Sequence, residues 1–312
     1  MTCRICSRRR MGFSLVELLA VVGIIALLIA ILVPSLNAVR TKAKSAATLN
    51  TIRVLETAVE TFKADMVVGG AYPESAALPT ASPHVPGATI EPSGASLLLW
   101  ALIGADGLGT PGFRDLDGDN NWRNDTTCNA AKPGLYDITN NQPDRTRAGP
   151  FVSPESVKMA QLKRPPNPAT PPTPGQYFIE RYSTPPISTT CFLDAFDRPI
   201  LYYRANPAGN AVGGIKAGNA IYDLYDNHIF TGLDGGPGMN LGAGLVHDIS
   251  RLGTFPSLGA EPTKPSFAHT IWDPKATAVN RPQRPDSYIL LSPGPEGKWG
   301  TADDIGNINI NK

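Results

Sequence analysis

Hydrophobic residues run almost unbroken from Phe13 to Val33 (FSLVELLAVVGIIALLIAILV), a stretch of 21 positions with one charge, Glu17. At 1.5 Å per residue a helix of this length spans about 30 Å, the thickness of a bilayer's hydrocarbon core, so the pattern predicts a transmembrane helix over 13–33. Pro34 then interrupts the run and predicts a kink, because proline lacks the amide a helix interior needs. Beyond it the period is helical again. Leu49, Ile52, Leu55, Val59, Phe62 and Met66 recur at intervals of three or four on one face, with Arg53, Glu56, Glu60 and Lys63 opposite. Gly69-Gly70 and Tyr72-Pro73 supply the stop signal. The expectation is one long helix over 13–68, transmembrane first and amphipathic after, followed by a globular body over 69–312.

Within the body the apolar pattern is shorter and denser. Residues 71–95 are rich in Pro, Ala and Ser and read as loop, and 164–175 (RPPNPATPPTPG) as a surface loop or rigid spacer. Ser96 to Ile103, around Trp100, is a core segment that the pattern leaves open between helix and strand. Ile200-Leu201-Tyr202-Tyr203 and Tyr288-Ile289-Leu290-Leu291 are aromatic and β-branched runs bounded by Pro and Gly, which predicts strands. A long helix followed by a few antiparallel strands is an α+β plan. With 30 Gly and 30 Pro the body is expected to be rich in loops.

Charge adds an orientation. Four of the 28 basic residues (Arg4, Arg8, Arg9 and Arg10) precede the apolar run, which places the N-terminus in the cytoplasm and the body across the membrane. The remaining 24 basic and 27 acidic side chains make the rest slightly acidic, which argues against a nucleic-acid partner. An ordinary secretory signal has a shorter apolar core with a small-residue cleavage site after it, unlike this one. Of the four cysteines, Cys3 and Cys6 form a CxxC with no second ligand pair for zinc. Cys128 and Cys191 are candidates for one disulfide in an extracytoplasmic compartment, or else two buried thiols. Glu17 inside an apolar span costs about 2.5–3.5 kcal/mol on insertion scales, so it either finds a partner or reaches the interface by snorkelling.

Gly12-Phe13-Ser14-Leu15-Val16-Glu17, after a short basic leader and before a long apolar helix, resembles the prepilin peptidase motif of type IV pilins and type II secretion pseudopilins. The resemblance implies a leader over 1–12 cut between Gly12 and Phe13, N-methylation of Phe13, and pairing of Glu17 with the Phe13 amine of a neighbouring subunit. Pro34 stands at the family's twenty-second mature position. Within the family, the body is similar to the major pseudopilin of type II secretion. Asp194-Ala195-Phe196-Asp197-Arg198-Pro199 is similar to its Asp-Pro-Trp-Gly-x-Pro turn, and SYILLSPGPEGKWGTADDI, from Ser287 to Ile305, to its C-terminal strand and calcium loop. The resemblance carries calcium ligation to Ser292, Asp303 and Asp304. Two carboxylates, a hydroxyl and a Gly-rich loop offer the hard oxygens that Ca²⁺ takes, and the bland alternative is a polar turn with solvated acids. Residues 75–175 and much of 207–285 exceed the compact family plan and are expected to be loop insertions.

A second acidic run, Asp115, Asp117 and Asp119, is not an EF-hand. Gly118 falls at the fourth position rather than the sixth, and Thr126 stands at the twelfth in place of a bidentate Glu. A different calcium loop or an exposed turn are the remaining readings. His84, His228, His247 and His269 are scattered with no HExxH, and neither a GxSxG elbow nor a Walker loop occurs, so no enzyme is expected. The resemblance implies a subunit of a type II secretion pseudopilus in the inner membrane, body on the periplasmic side. Its partners would be prepilin peptidase, identical subunits, minor pseudopilins and the secretion machinery. The alternatives are a type IV pilus or minor pilin, and a pilin-anchored surface binding module.

Overall fold

The computed structural model describes residues 14–65, 70–75, 93–104, 109, 148–162, 179–180, 190–215, 218–231, 247–254, 261–262, 266–276 and 278–310. The chain divides into two units, Met1–Lys44 and Ser45–Lys312. Helix α1 (Leu15–Ala64) is continuous for 50 residues and contains Pro34. In the first unit every described apolar side chain from Leu15 to Val39 is exposed. This helix is long and apolar enough to cross a membrane. Proline at 34 offers no amide to the carbonyl of Ala30, and the next residue's hydroxyl, Ser35 Oγ, donates to the Leu32 carbonyl at 2.9 Å.

In the second unit α1 buries the predicted face: Ile52, Leu55, Val59 and Phe62, joined by Thr48 and Ala58. Leu49 is half-buried, and Met66 lies outside the described residues. The helix ends at Ala64, and the amide of Gly70 (φ +103°) reaches back to the Lys63 carbonyl at 2.9 Å. The core segment left open in the sequence is a helix, α2 (Gly94–Ile103), with every residue buried. A buried helix must satisfy its end groups internally. Ser93 Oγ accepts from the Ser96 amide and Asn227 Oδ1 from the Ala95 amide, while the amides of Gly104, Gly109 and Phe151 take the carbonyls of Trp100, Ile103 and Leu102. Gly94 lets α2 approach the sheet: a Cβ there would lie 2.3 Å from the Tyr202 carbonyl oxygen.

The strands are β1 (Lys158–Leu162), β2 (Ile179–Glu180), β3 (Thr190–Leu193), β4 (Leu201–Arg204), β5 (Ala211–Gly214), β6 (Ala220–Asp223), β7 (Tyr288–Ser292) and β8 (Ile305–Gly306). They form two antiparallel sheets, β2-β1-β3 and β4-β7-β8, and a two-stranded parallel ladder, β5-β6. Two short helices, α3 (His228–Thr231) and α4 (Phe267–Ile271), complete the described elements together with 3₁₀ turns at Leu224–Asn227 and Asp248–Ser250. The α+β expectation holds, and the two strands read from sequence pair as β4 and β7, Tyr202 opposite Leu290.

Their side chains alternate between two cores. Tyr202, Tyr288 and Leu290 join a cluster with α1, α2 and Phe192. Leu201, Tyr203, Ile289 and Leu291 join another with Val212, Tyr222, Phe230, Ile249, Phe267, Ile271 and Trp299. A strand pair covered on both faces reads as a continuous apolar run, which is why no polar alternation is visible in LYY or YILL. This corrects the expectation that much of 207–285 is loop insertion. Its described part carries β5, β6, α3 and α4 and supplies the second cover of the central strands. Phe267→Ala is expected to lower the unfolding free energy of the chain in detergent by about 3–5 kcal/mol, as a large core truncation does. Val279→Ala, at an exposed position, should fall within about 0.5 kcal/mol. Denaturant titration of both variants checks the contrast.

Candidate functional site

Gly12 and Phe13 lie outside the described residues, as do Cys128 and the acidic run Asp115, Asp117 and Asp119. Glu17 is described and exposed. It stands three residues after Ser14, which flanks the start of α1, and its Oε2 accepts from the Ser14 amide at 2.9 Å. The Leu18 amide donates to the Ser14 carbonyl at 3.1 Å. This is the carboxylate half of a capping box, with the acid also placed at the positive end of the helix dipole. Ser-x-x-Glu ahead of an apolar run was the signal for it. Glu17 therefore has a partner within its own chain.

Asp194 organises the turn before β4. Its Oδ1 accepts from the amides of Phe196 (2.7 Å) and Arg198 (2.9 Å), and its Oδ2 from the Ser292 hydroxyl at 2.6 Å. Burial raises its carboxyl above the usual range, opposed by these hydrogen bonds and by the Arg198 charge. Asp197 in the same turn is left-handed, φ +63°, the region that glycine favours. The Ala195 amide donates to Thr48 Oγ1 on α1 at 3.1 Å, so the turn is tied to both the helix and β7.

The C-terminal loop, between β7 and β8, is built on glycines with positive φ: Gly294, Gly297 and Gly300. A Cβ on Gly294 would meet the Asp303 carbonyl oxygen at 2.2 Å, so the two arms of the loop are in backbone contact there. Asp303 Oδ2 accepts from the Glu296 amide at 2.9 Å, and its Oδ1 bonds the Thr301 hydroxyl. Asp304 is buried; its Oδ2 accepts from the Gly300 amide at 2.7 Å, and its Oδ1 lies 3.4 Å from Thr301 Oγ1. Thr301 thus joins the two predicted acids. Ser292 stands apart from that pair in its bonding: its hydroxyl donates to Asp194 and accepts from the Gly294 amide at 3.3 Å, which leaves it one lone pair. Glu296 enters through its backbone amide.

Behind the loop lies a residue that sequence reasoning left uncommitted. His247 is buried against Trp299, with ring centroids 4.5 Å apart. Its Nδ1 accepts from the Trp299 amide at 3.3 Å, so a neutral ring carries its proton on Nε2, which has no hydrogen-bond partner among the described residues. The Asp248 amide donates to the Trp299 carbonyl at 2.9 Å, and Lys298 Nζ pairs with Asp248 Oδ1 at 2.7 Å. Burial, with help from Lys298 and Arg198, lowers the His247 pKa to about 3.

The other described histidines have local roles. His228 stacks on Tyr225 at 4.0 Å, and His269 Nε2 lies 3.2 Å from Glu261. Asp226 accepts from Ser75 Oγ at 2.5 Å, and Asp223 from the Tyr225 amide at 2.9 Å. Among the described residues no three His, Cys, Asp or Glu side chains gather where they could hold a metal. Cys191, in β3, is a fully buried thiol whose burial pushes its pKa up. Comparison of the chain with protein-family models, with curated proteins and with solved structures found no match.

Asp304 yields a pH test. Burial first, then the Asp303 charge, raise its pKa from 3.8 to about 8. The folded chain therefore holds a proton that the unfolded chain has released, and stability falls as pH rises through that window. His247 acts oppositely, losing stability as pH falls from 6.5 towards 3, so above pH 6.5 the Asp304 contribution stands alone of the two. With a chelator present, the melting temperature is expected to fall between pH 6.5 and 8.5. Asp304→Asn is expected to flatten that fall, as measured by thermal melts across the range.

Proposed function

We propose that the chain is a structural subunit of a type II secretion pseudopilus, anchored in the inner membrane and assembled into a filament after cleavage between Gly12 and Phe13. The observation that carries this reading is α1: a single helix, apolar and exposed over Leu15 to Val39, amphipathic and core-forming over Thr48 to Phe62, directly after the Gly12-Phe13 junction. An exposed apolar surface of that length is unstable in water and calls for lipid or copies of itself. The left-handed backbone at Asp197 adds support, because it falls where the resembling turn has glycine.

Assembly runs through Glu17 in this reading, which offers its carboxylate to the amine of a neighbouring Phe13. The capping hydrogen bond from Ser14 sharpens the test. Glu17→Ala is expected to leave cleavage intact, seen as Phe13 at the N-terminus by mass spectrometry, and to abolish filaments in electron micrographs. Glu17→Gln keeps a capping oxygen without the charge. Loss of filaments in that variant too would assign the effect to charge, whereas normal filaments in Glu17→Ala would refute the assembly role.

The C-terminal loop is proposed to bind calcium through Asp303 and Asp304, with the remaining lone pair of Ser292 as a further donor. The ion would supply the positive charge that this acidic pair lacks and order the Gly-rich loop. Added calcium is expected to raise the melting temperature by several degrees at pH 8, and less at pH 6 where Asp304 keeps its proton. An unchanged melt at pH 8 in the wild type, or an equal gain in Asp304→Asn, would remove the site.

A further inference from the structure

Immediately after the apolar surface of α1 come three cations in five residues: Arg40, Lys42 and Lys44. Arg40 and Lys42 are exposed and Lys44 is half-buried. The first acid after Glu17 in the sequence is Glu56. At about 100° per residue, Arg40 and Lys44 stand on one side of the helix and Lys42 on the other, within about 6 Å along the axis. The cations thus occupy two opposite sides of the helix rather than a stripe on one face.

That arrangement suits a layer that surrounds the helix, and it is poorly matched to a protein surface that touches one side. The apolar surface ends one residue earlier, at Val39, exposed by 62%. Leu15 to Val39 would span about 37 Å, enough to cross a hydrocarbon core with some tilt and bring residue 40 to its boundary. Ser35 and Thr41, the hydroxyl residues near this boundary, donate to the carbonyls of Leu32 (2.9 Å) and Asn37 (3.1 Å), so neither needs water to satisfy its donor. Lys and Arg stems are apolar and their heads charged, a combination that seats at a headgroup layer.

We infer that Arg40, Lys42 and Lys44 form a collar that binds the anionic phospholipid headgroups of the leaflet where α1 leaves the bilayer. This rests on the reading of α1 as membrane-spanning. Electrostatic attraction to anionic lipid grows with each Lys or Arg near the surface and is screened by salt. The collar would hold the subunit at a set depth and enrich acidic lipid around it.

The test uses the chain of residues 1–312 reconstituted in phosphatidylcholine vesicles with trace spin-labelled phosphatidylglycerol or spin-labelled phosphatidylcholine. The motionally restricted lipid is measured by electron spin resonance. Phosphatidylglycerol is expected to be preferred roughly fivefold at low salt, and less at high salt. The triple variant Arg40→Gln, Lys42→Gln, Lys44→Gln, made in a chain whose Arg4, Arg8, Arg9 and Arg10 are already Gln, is expected to bring the ratio close to parity. A second variant with Arg4, Arg8, Arg9 and Arg10 each replaced by Gln is expected to keep the preference, which separates the collar from the basic N-terminus. Parity in the wild type, or a preference that survives the collar variant, would overturn the inference while α1 resists alkaline carbonate extraction. Extraction by carbonate would overturn the spanning reading itself, and the collar with it.

Discussion

The body of this protein depends on burying both faces of one strand pair. β4 and β7 are short, yet each of their apolar side chains is buried, and neighbours along a strand point into different cores. Such a pair has no solvated face, so two separate covers are obligatory. One is the buried face of α1 with the wholly buried α2. The other comes from the region between β4 and β7, through Tyr222, Phe230, Phe267 and Ile271. The polar junctions follow from this layering. Asp194 clamps β7 through Ser292, and Asn227 joins α2 to β4 by accepting from the Ala95 amide and donating to the Tyr202 carbonyl at 2.7 Å.

Much of that plan is legible from residues. The long apolar run, the helical period from Ile52 to Phe62 and the two aromatic strands follow from local rules of period and composition. What the sequence conceals is what touches what. Nothing in Val212 or Phe267 announces that they cover the far side of β4, because their partners lie along distant stretches of chain. Glu56 illustrates the same limit. It sits at a polar position of α1, yet it is half-buried, paired with Arg284 at 2.8 Å and bonded by Asn307 at 3.2 Å. Its role depends on partners some 230 and 250 residues away.

The candidate sites divide along the same line. Glu17 is a local matter, and the spacing from Ser14 encodes its capping bond. The acids at 303 and 304 are visible in sequence as a pair, but the burial of Asp304 and its shared Thr301 partner are products of the folded loop. His247 carried no motif. Its environment comes from Trp299, which reaches it through a loop turned by glycines with positive φ.

The place of β7 in the chain has a consequence for biogenesis. The strand that completes the central pair occupies Tyr288–Ser292, and the Arg284 and Asn307 contacts to α1 come from its flanks. A chain emerging from its N-terminus therefore presents the apolar face of α1 long before the strand that seals it exists. Ile52, Leu55, Val59 and Phe62 stay uncovered on that side until β7 arrives, with 232 positions separating Glu56 from its partner Tyr288. The body closes as a late event, with high sequence separation between its first and last contacts, and such folds are slow and exposed to misassociation while they wait. The interval before β7 emerges is when this chain has most need of a chaperone.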